Sequence, residues 1–181
     1  MEKDIEVILI GQEELQQRVQ ELAQQISRDY SGKEPHVICV LKGAVFFVAD
    51  LTRSLSVPVS LDFMAVSSYG SSTETSGIVR ILKDLEESIE GRDILIVEDI
   101  IDSGLTLHYM WKNLLARNPA SIQICTLLDK PSRRRVDVPV KYCGFSIPDK
   151  FVVGYGLDYG ERYRNLPYIG VLKEECYAVS E

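Results

Sequence analysis

Residues 94–107 read ILIVEDIIDSGLTL, and no other stretch restricts the fold so tightly. Ile94, Leu95, Ile96 and Val97 form a short unbroken apolar run, the pattern of a strand covered on both faces. The run leads into two adjacent carboxylates, Glu98 and Asp99, and then into Asp102, Ser103, Gly104 and Thr106. From Thr106 onward Leu107, Met110, Trp111, Leu114 and Leu115 recur at helical spacing, and Asn118-Pro119 ends the helix. Strand, acidic loop and helix start in that order belong to an open α/β sheet, whose ligands bind at the carboxyl ends of the strands.

The rest of the chain repeats this alternation. Leu15, Val19, Leu22, Ala23 and Ile26 lay one apolar stripe along a helix over residues 13–30. VICVL at 37–41 predicts a second buried strand, ended by Lys42-Gly43 and followed by a helix over 44–54. Further strands are expected over 59–66 and 121–128, and the alternation implies a parallel sheet flanked by helices. Beyond residue 140 the chain turns rich in strand and loop, with Gly154, Gly156 and Gly160 close together, and this tail is expected to cap the sheet. With no repeat, low-complexity tract or long polar linker, residues 1–181 are read as one domain. SSYGSSTETSG at 67–77 breaks the pattern: nine of its eleven residues are Ser, Thr or Gly, which bury little apolar surface.

A helix N-terminus presents free N–H groups and a positive dipole end, which suit a phosphate. Gly104 lets the backbone approach closely, and Ser103 and Thr106 add hydroxyls. The segment has neither the GxxxxGK[ST] of a P-loop nor the GxGxxG of a dinucleotide fold. A plain helix cap accounts for Asp102 and Ser103. It leaves two carboxylates at the end of an apolar strand unexplained. Such a pair suits the vicinal hydroxyls of a ribose and attracts magnesium, so the spacing points to a phosphosugar site.

The formal charge of −7 and pI near 5.0 give no basic face for broad contact with nucleic acid or acidic membranes. Four scattered cysteines make no CxxC pair, and Cys39 and Cys125 lie in apolar runs where buried thiols are expected. The first ten residues lack the basic start of a leader, and no apolar run approaches the roughly 18 residues of a membrane span. A cytoplasmic, reduced protein is expected.

VEDIIDSGLTL resembles the motif by which phosphoribosyltransferases bind phosphoribosyl pyrophosphate (PRPP), and its EDIIDSG core is similar to the hypoxanthine-guanine branch. Five segments occur in that family's order: LKG from Leu41, SSYG from Ser67, EDIIDSG, LLDK from Leu127, and FVVGYGLDYGERYR from Phe151 to Arg164. The resemblance implies a type I phosphoribosyltransferase-like α/β fold, with a small hood of chain ends over the carboxyl edge of a parallel sheet. It implies transfer of the 5-phosphoribosyl group from PRPP to N9 of hypoxanthine or guanine, giving IMP or GMP and pyrophosphate in purine salvage.

The same resemblance assigns roles. Asp102 is the general base at purine N7, and Ser103, Gly104, Leu105 and Thr106 bind the 5-phosphate. Glu98 and Asp99 hold the ribose diol and Mg2+, and Asp158 holds a second Mg2+ beside the purine. Lys42 and Gly43, where the family carries a non-proline cis peptide before the lysine, bind pyrophosphate together with Arg164. Lys130 donates to the purine 6-oxo group, Phe151 stacks on the ring and Val152 reads its edge. Ser68 and Tyr69 belong to a lid over 67–77 that closes on PRPP. Leu105 departs from the lysine that some relatives carry, though the backbone donors survive. A homodimer or homotetramer is implied, with no nucleic-acid or membrane partner. The alternative is a PRPP-sensing regulator that binds RNA or DNA on the same fold. His36 and His108 are read as structural, and Arg133 to Arg135 as a solvated basic turn.

Overall fold

The computed structural model describes residues 1–68 and 79–178. In chain order the regular elements are β1 (Ile5–Ile10), α1 (Gln12–Asp29), β2 (His36–Leu41), α2 (Val45–Ser54), β3 (Ser60–Ser68) and β4 (Val79–Lys83). They continue as β5 (Asp93–Ile101), α3 (Leu105–Leu115), β6 (Ser121–Asp129), β7 (Val140–Ser146), β8 (Val152–Val153) and β9 (Ile169–Leu172). A six-stranded sheet runs β4-β3-β2-β5-β6-β7, and a three-stranded sheet runs β1-β9-β8. In the large sheet every pairing is parallel except β3 with β4, so the expected parallel sheet carries one antiparallel edge strand. The small sheet is antiparallel throughout.

The unbroken apolar runs are explained by burial on both faces. Val37, Cys39, Leu95, Val97 and Cys125 face one core, shared with α1 and α2. Their neighbours Ile38, Ile94, Ile96 and Ile124 face a second core, shared with Leu107, Met110 and Leu114 of α3. A strand alternates faces residue by residue, so the middle of a central strand in such a layered fold favours apolar side chains on both faces. In α1 the stripe Leu15, Val19, Leu22, Ala23 and Ile26 is buried. Each large member contributes about 1.5–3 kcal/mol, and truncating Leu22 to Ala costs about 2–5 kcal/mol.

Two boundaries differ from the sequence reading in ways that bear on the site. The apolar run suggests that strand β5 ends at Val97, yet it runs on to Ile101 and carries Glu98 and Asp99 as strand residues paired alongside β6. Ser67 and Ser68 belong to β3, opposite Arg80 and Val79. The remainder of the expected lid, Tyr69 included, lies outside the described residues. Among the described residues no helix is long and apolar enough to cross a membrane.

Candidate active site

The carboxyl ends of β2, β5 and β6 lie side by side, and the loops that follow them converge. Glu98 is buried, and its carboxyl is pushed well above the usual range by burial and by the neighbouring Asp99 charge. Burial also raises Asp99, against hydrogen bonds from Glu98 and from the amide of Ile100, and against the field of Arg164. The Asp99 amide donates to Glu98 Oε1 at 3.2 Å, and the Ile100 amide to Asp99 Oδ1 at 2.7 Å. A short cleft follows, lined by Glu98, Asp102, Ser103, Gly104 and Thr106. Gly104 sits at φ +82 and opens α3, so the sharp turn that presents the helix amides needs a residue without a side chain. The Leu105 amide reaches Ser103 Oγ at 3.4 Å, which leaves later amides of the first turn for a ligand.

Two glycines bring separate loops into contact. The Leu41-Lys42 peptide is cis, and a side chain at Gly43 would fall on the Asp99 carboxylate. A side chain at Gly156 would fall on the Gly43 carbonyl. The β2 loop is therefore held between the acidic strand and the segment after β8. Lys42 Nζ pairs with Glu161 at 2.9 Å. Arg164 pairs with Asp158 at 2.9 Å and with Glu161 at 3.1 Å, and donates to the Gly156 carbonyl at 2.7 Å.

On the other side of the loop Lys130 is buried, and its amide donates to the Ile101 carbonyl at 2.9 Å. Its Nζ lies 3.9 Å from Asp149. The basic turn is exposed at Arg133 and Arg135, as expected, but it also makes contacts with the site. Arg133 Nε lies 2.6 Å from Asp102 Oδ1, Arg134 pairs with Asp129, and the Arg135 amide donates to the Ser103 carbonyl at 2.9 Å. The turn thus closes one side of the Asp102 loop. Phe151 is stacked on Tyr177 with centroids 4.8 Å apart and meets the edge of Tyr159 at 5.6 Å, while Val152 is buried.

Contacts therefore link Lys42, Gly43, Asp99, Asp158 and Arg164 into one group, through Glu161 and Gly156. Asp102 and Lys130 belong to a second, around the Arg133–Asp149 pair. The two histidines stay outside both groups. His36 is buried against Ser60, and His108 Nδ1 lies 2.9 Å from the Asp137 carbonyl. Sequence reasoning gave Arg133 no role beyond a solvated turn, and assigned none to Asp149, Glu161, Tyr159 or Tyr177. The charge-dense GERYR string was the one visible signal for Glu161.

Among the described residues no group of three or more His, Cys, Asp or Glu gathers around a common point. A hard cation such as magnesium typically takes one or two carboxylates and completes its shell with water and substrate phosphate oxygens. Asp99, its neighbour Glu98, and Asp158 offer that kind of open, all-oxygen donor set. The donors fit.

The family description "Phosphoribosyl transferase domain" matches residues 11–160. A hypoxanthine-guanine phosphoribosyltransferase of Bacillus subtilis is 56% identical over 98% of this chain and 98% of its own. One from Mycobacterium bovis is 55% identical over 96% of this chain and 89% of its own. A hypoxanthine phosphoribosyltransferase crystal structure from Staphylococcus aureus superposes with a TM-score of 0.96 at 49% identity, covering 99% of this chain and 97% of that one. The chain belongs to the phosphoribosyltransferase family, in its hypoxanthine-guanine branch.

Proposed function

We propose that this protein transfers the 5-phosphoribosyl group of PRPP to N9 of hypoxanthine or guanine, releasing pyrophosphate. The observation that carries the reading is an acid pair running into the N-terminus of α3 along one cleft, with the Lys42-Gly43 loop held against Asp99. The amides and hydroxyls of Ser103 to Thr106, at the positive end of α3, hold the 5-phosphate. Glu98 and Asp99 take the ribose hydroxyls. Lys42, the backbone at Gly43 and Arg164 take the pyrophosphate, where a planar guanidinium suits phosphate oxygens. Asp102 receives the N7 proton as N9 bonds to the anomeric carbon.

Base choice rests on Lys130. Its ammonium donates to the 6-oxo group of hypoxanthine or guanine, whereas adenine presents an amino donor there and leaves two donors facing each other. Phe151 supports the purine face and Val152 its edge. Ser68 and Tyr69 complete the set by closing over PRPP and excluding water from an electron-poor sugar. Glu98, Asp99 and Asp158 would hold Mg2+, whose charge would offset that of the diphosphate. The chain works as one domain, with β1, β8 and β9 as its hood, in the cytoplasm and as a homodimer or homotetramer. The relatives reported above are named for the transferase activity, so the regulatory alternative is not carried forward.

A radiolabelled-base assay tests the reading. Hypoxanthine and guanine should yield nucleotide with PRPP and magnesium, and chelation should remove the yield. Turnover of adenine at a comparable rate, or none with any 6-oxopurine, overturns it.

A further inference from the structure

We propose that Glu161 is a built-in counter-ion at the pyrophosphate position, an anion on the protein's own chain that an incoming diphosphate must displace. The inference rests on the reading of Lys42 and Arg164 as the pyrophosphate cations. Glu161 places one oxygen on each: Oε2 lies 2.9 Å from Lys42 Nζ, and Oε1 lies 3.1 Å from Arg164 Nη2. Lys42 is 119 positions away in sequence, so this carboxylate spans two distant segments. Two oxygens of a diphosphate would use the same cations in the same way.

The surroundings separate a displaceable anion from a fixed one. Asp158 Oδ2 accepts the Glu161 amide at 2.9 Å while Oδ1 pairs with Arg164, so Asp158 ties the turn to the guanidinium. The Asp158 side chain is 28% exposed and the Glu161 side chain 65%. Asp158 is anchored; Glu161 can swing into solvent. Independently of Glu161, Arg164 Nε is buried without an acceptor among the described residues, although Nη1 donates to Gly156 and Nη2 serves both carboxylates. A buried N–H left unpaired is costly, and it keeps one donor in reserve for an oxygen that Glu161 does not supply.

Exposed ion pairs are individually weak, so displacement by a multiply charged diphosphate is easy. Two such pairs still weigh against binding. Glu161 thereby weakens the grip on pyrophosphate and speeds its release, because its carboxylate returns to the cations as the product leaves.

The test uses the full chain and its Glu161→Gln and Glu161→Ala variants. Transfer from PRPP to hypoxanthine establishes turnover in each, and thermal melting establishes folding. The readouts are the inhibition constant of pyrophosphate against PRPP with magnesium, and calorimetric binding of pyrophosphate, with GMP as a ligand that lacks the diphosphate. Both variants should bind pyrophosphate roughly three- to ten-fold tighter, the range expected from losing two weak competing pairs, with GMP affinity within about two-fold. Pyrophosphate constants equal to or weaker than those of the parent overturn the inference while leaving transferase activity in place. Absence of transfer in the parent chain would instead remove the transferase reading, and this inference with it. Should Glu161→Gln fail to fold, Glu161→Ala decides alone.

Discussion

Arg133 Nε stands 2.6 Å from Asp102 Oδ1, so the acid that precedes Gly104 and α3 already has a cation against it. Arg133 is half exposed and shares its charge with Asp149 at 3.4 Å. Substituting each partner should separate their roles. Asp102→Asn should retain PRPP binding and lower kcat by roughly 10²–10⁴-fold, the usual contribution of a general base. Arg133→Gln should alter the KM for the base by less than about five-fold, as a half-exposed pair allows. Steady-state kinetics under conditions where chemistry limits turnover decide this, and an unchanged kcat in Asp102→Asn would remove Asp102 from the role.

Lys130 is buried, with its Nζ 3.9 Å from the Asp149 carboxylate. Replacing it with Gln substitutes a neutral group that can either donate or accept. Hypoxanthine kcat/KM should fall about 10–100-fold, the worth of one charged hydrogen bond, while adenine gains relative to it. Competition between the labelled bases measures the ratio. No narrowing of the gap contradicts the assignment of Lys130 to the 6-oxo group.

Gly43 has no room for a side chain, because the Asp99 carboxylate occupies the space. Gly43→Ala should lower stability by about 1–3 kcal/mol, a loss of roughly 2–4 °C in Tm per kcal/mol for a chain of this size. It should also cost about 100-fold in activity by moving the acid pair. Gly11 makes the control: nothing lies within 4 Å of its would-be side chain, and its φ of −74 suits alanine. Equal losses in the two variants would mean that the close approach has no consequence.

His36 lies at the opposite end of β2, with its Nδ1 2.8 Å from Ser60 Oγ. Burial first, and then Arg92, hold its pKa below the usual value against the raising pull of Asp62 and Glu87. A lowered histidine protonates later in the folded chain than in the unfolded one. Stability is therefore complete above about pH 6.5 and declines as pH falls below that, where the unfolded state alone takes up the proton. His36→Asn, whose amide can still meet Ser60, should flatten the decline of Tm between pH 7 and 5.5. Parallel profiles for the two proteins would exclude His36 as the source.

The parts of this fold that sequence revealed are those whose environment allows one kind of residue. β2, β5 and β6 lie between two cores, so their apolar runs were unmistakable, and the acids of β5 stood out against them. Of the small sheet only the outline was legible, as a strand-and-loop tail with Gly154, Gly156 and Gly160 close together, and not its individual strands. Val7 and Ile8 of β1 are exposed, and β8 is two residues long, so neither carries a regular pattern. Within the site, the residues of the phosphate loop were legible because they are contiguous. The pairing of Arg133 with Asp102 depends on where β6 delivers its loop, and that of Glu161 with Lys42 on contact across distant segments. Local charge patterns do not encode such meetings.

The small sheet also sets an order of assembly on the ribosome. β9 is its centre, paired with β1 on one side and β8 on the other, and residues 169–172 are synthesised after every other strand. The strands that carry the phosphate loop can associate while translation continues, because each finds its neighbour within the large sheet. β1, made first, must wait for a partner made last, and Val152 waits with it. A nascent chain can therefore assemble the Asp102–Thr106 loop before Val152 has its strand partner. A chain stopped short of β9 would leave both β1 and β8 without the strand they share.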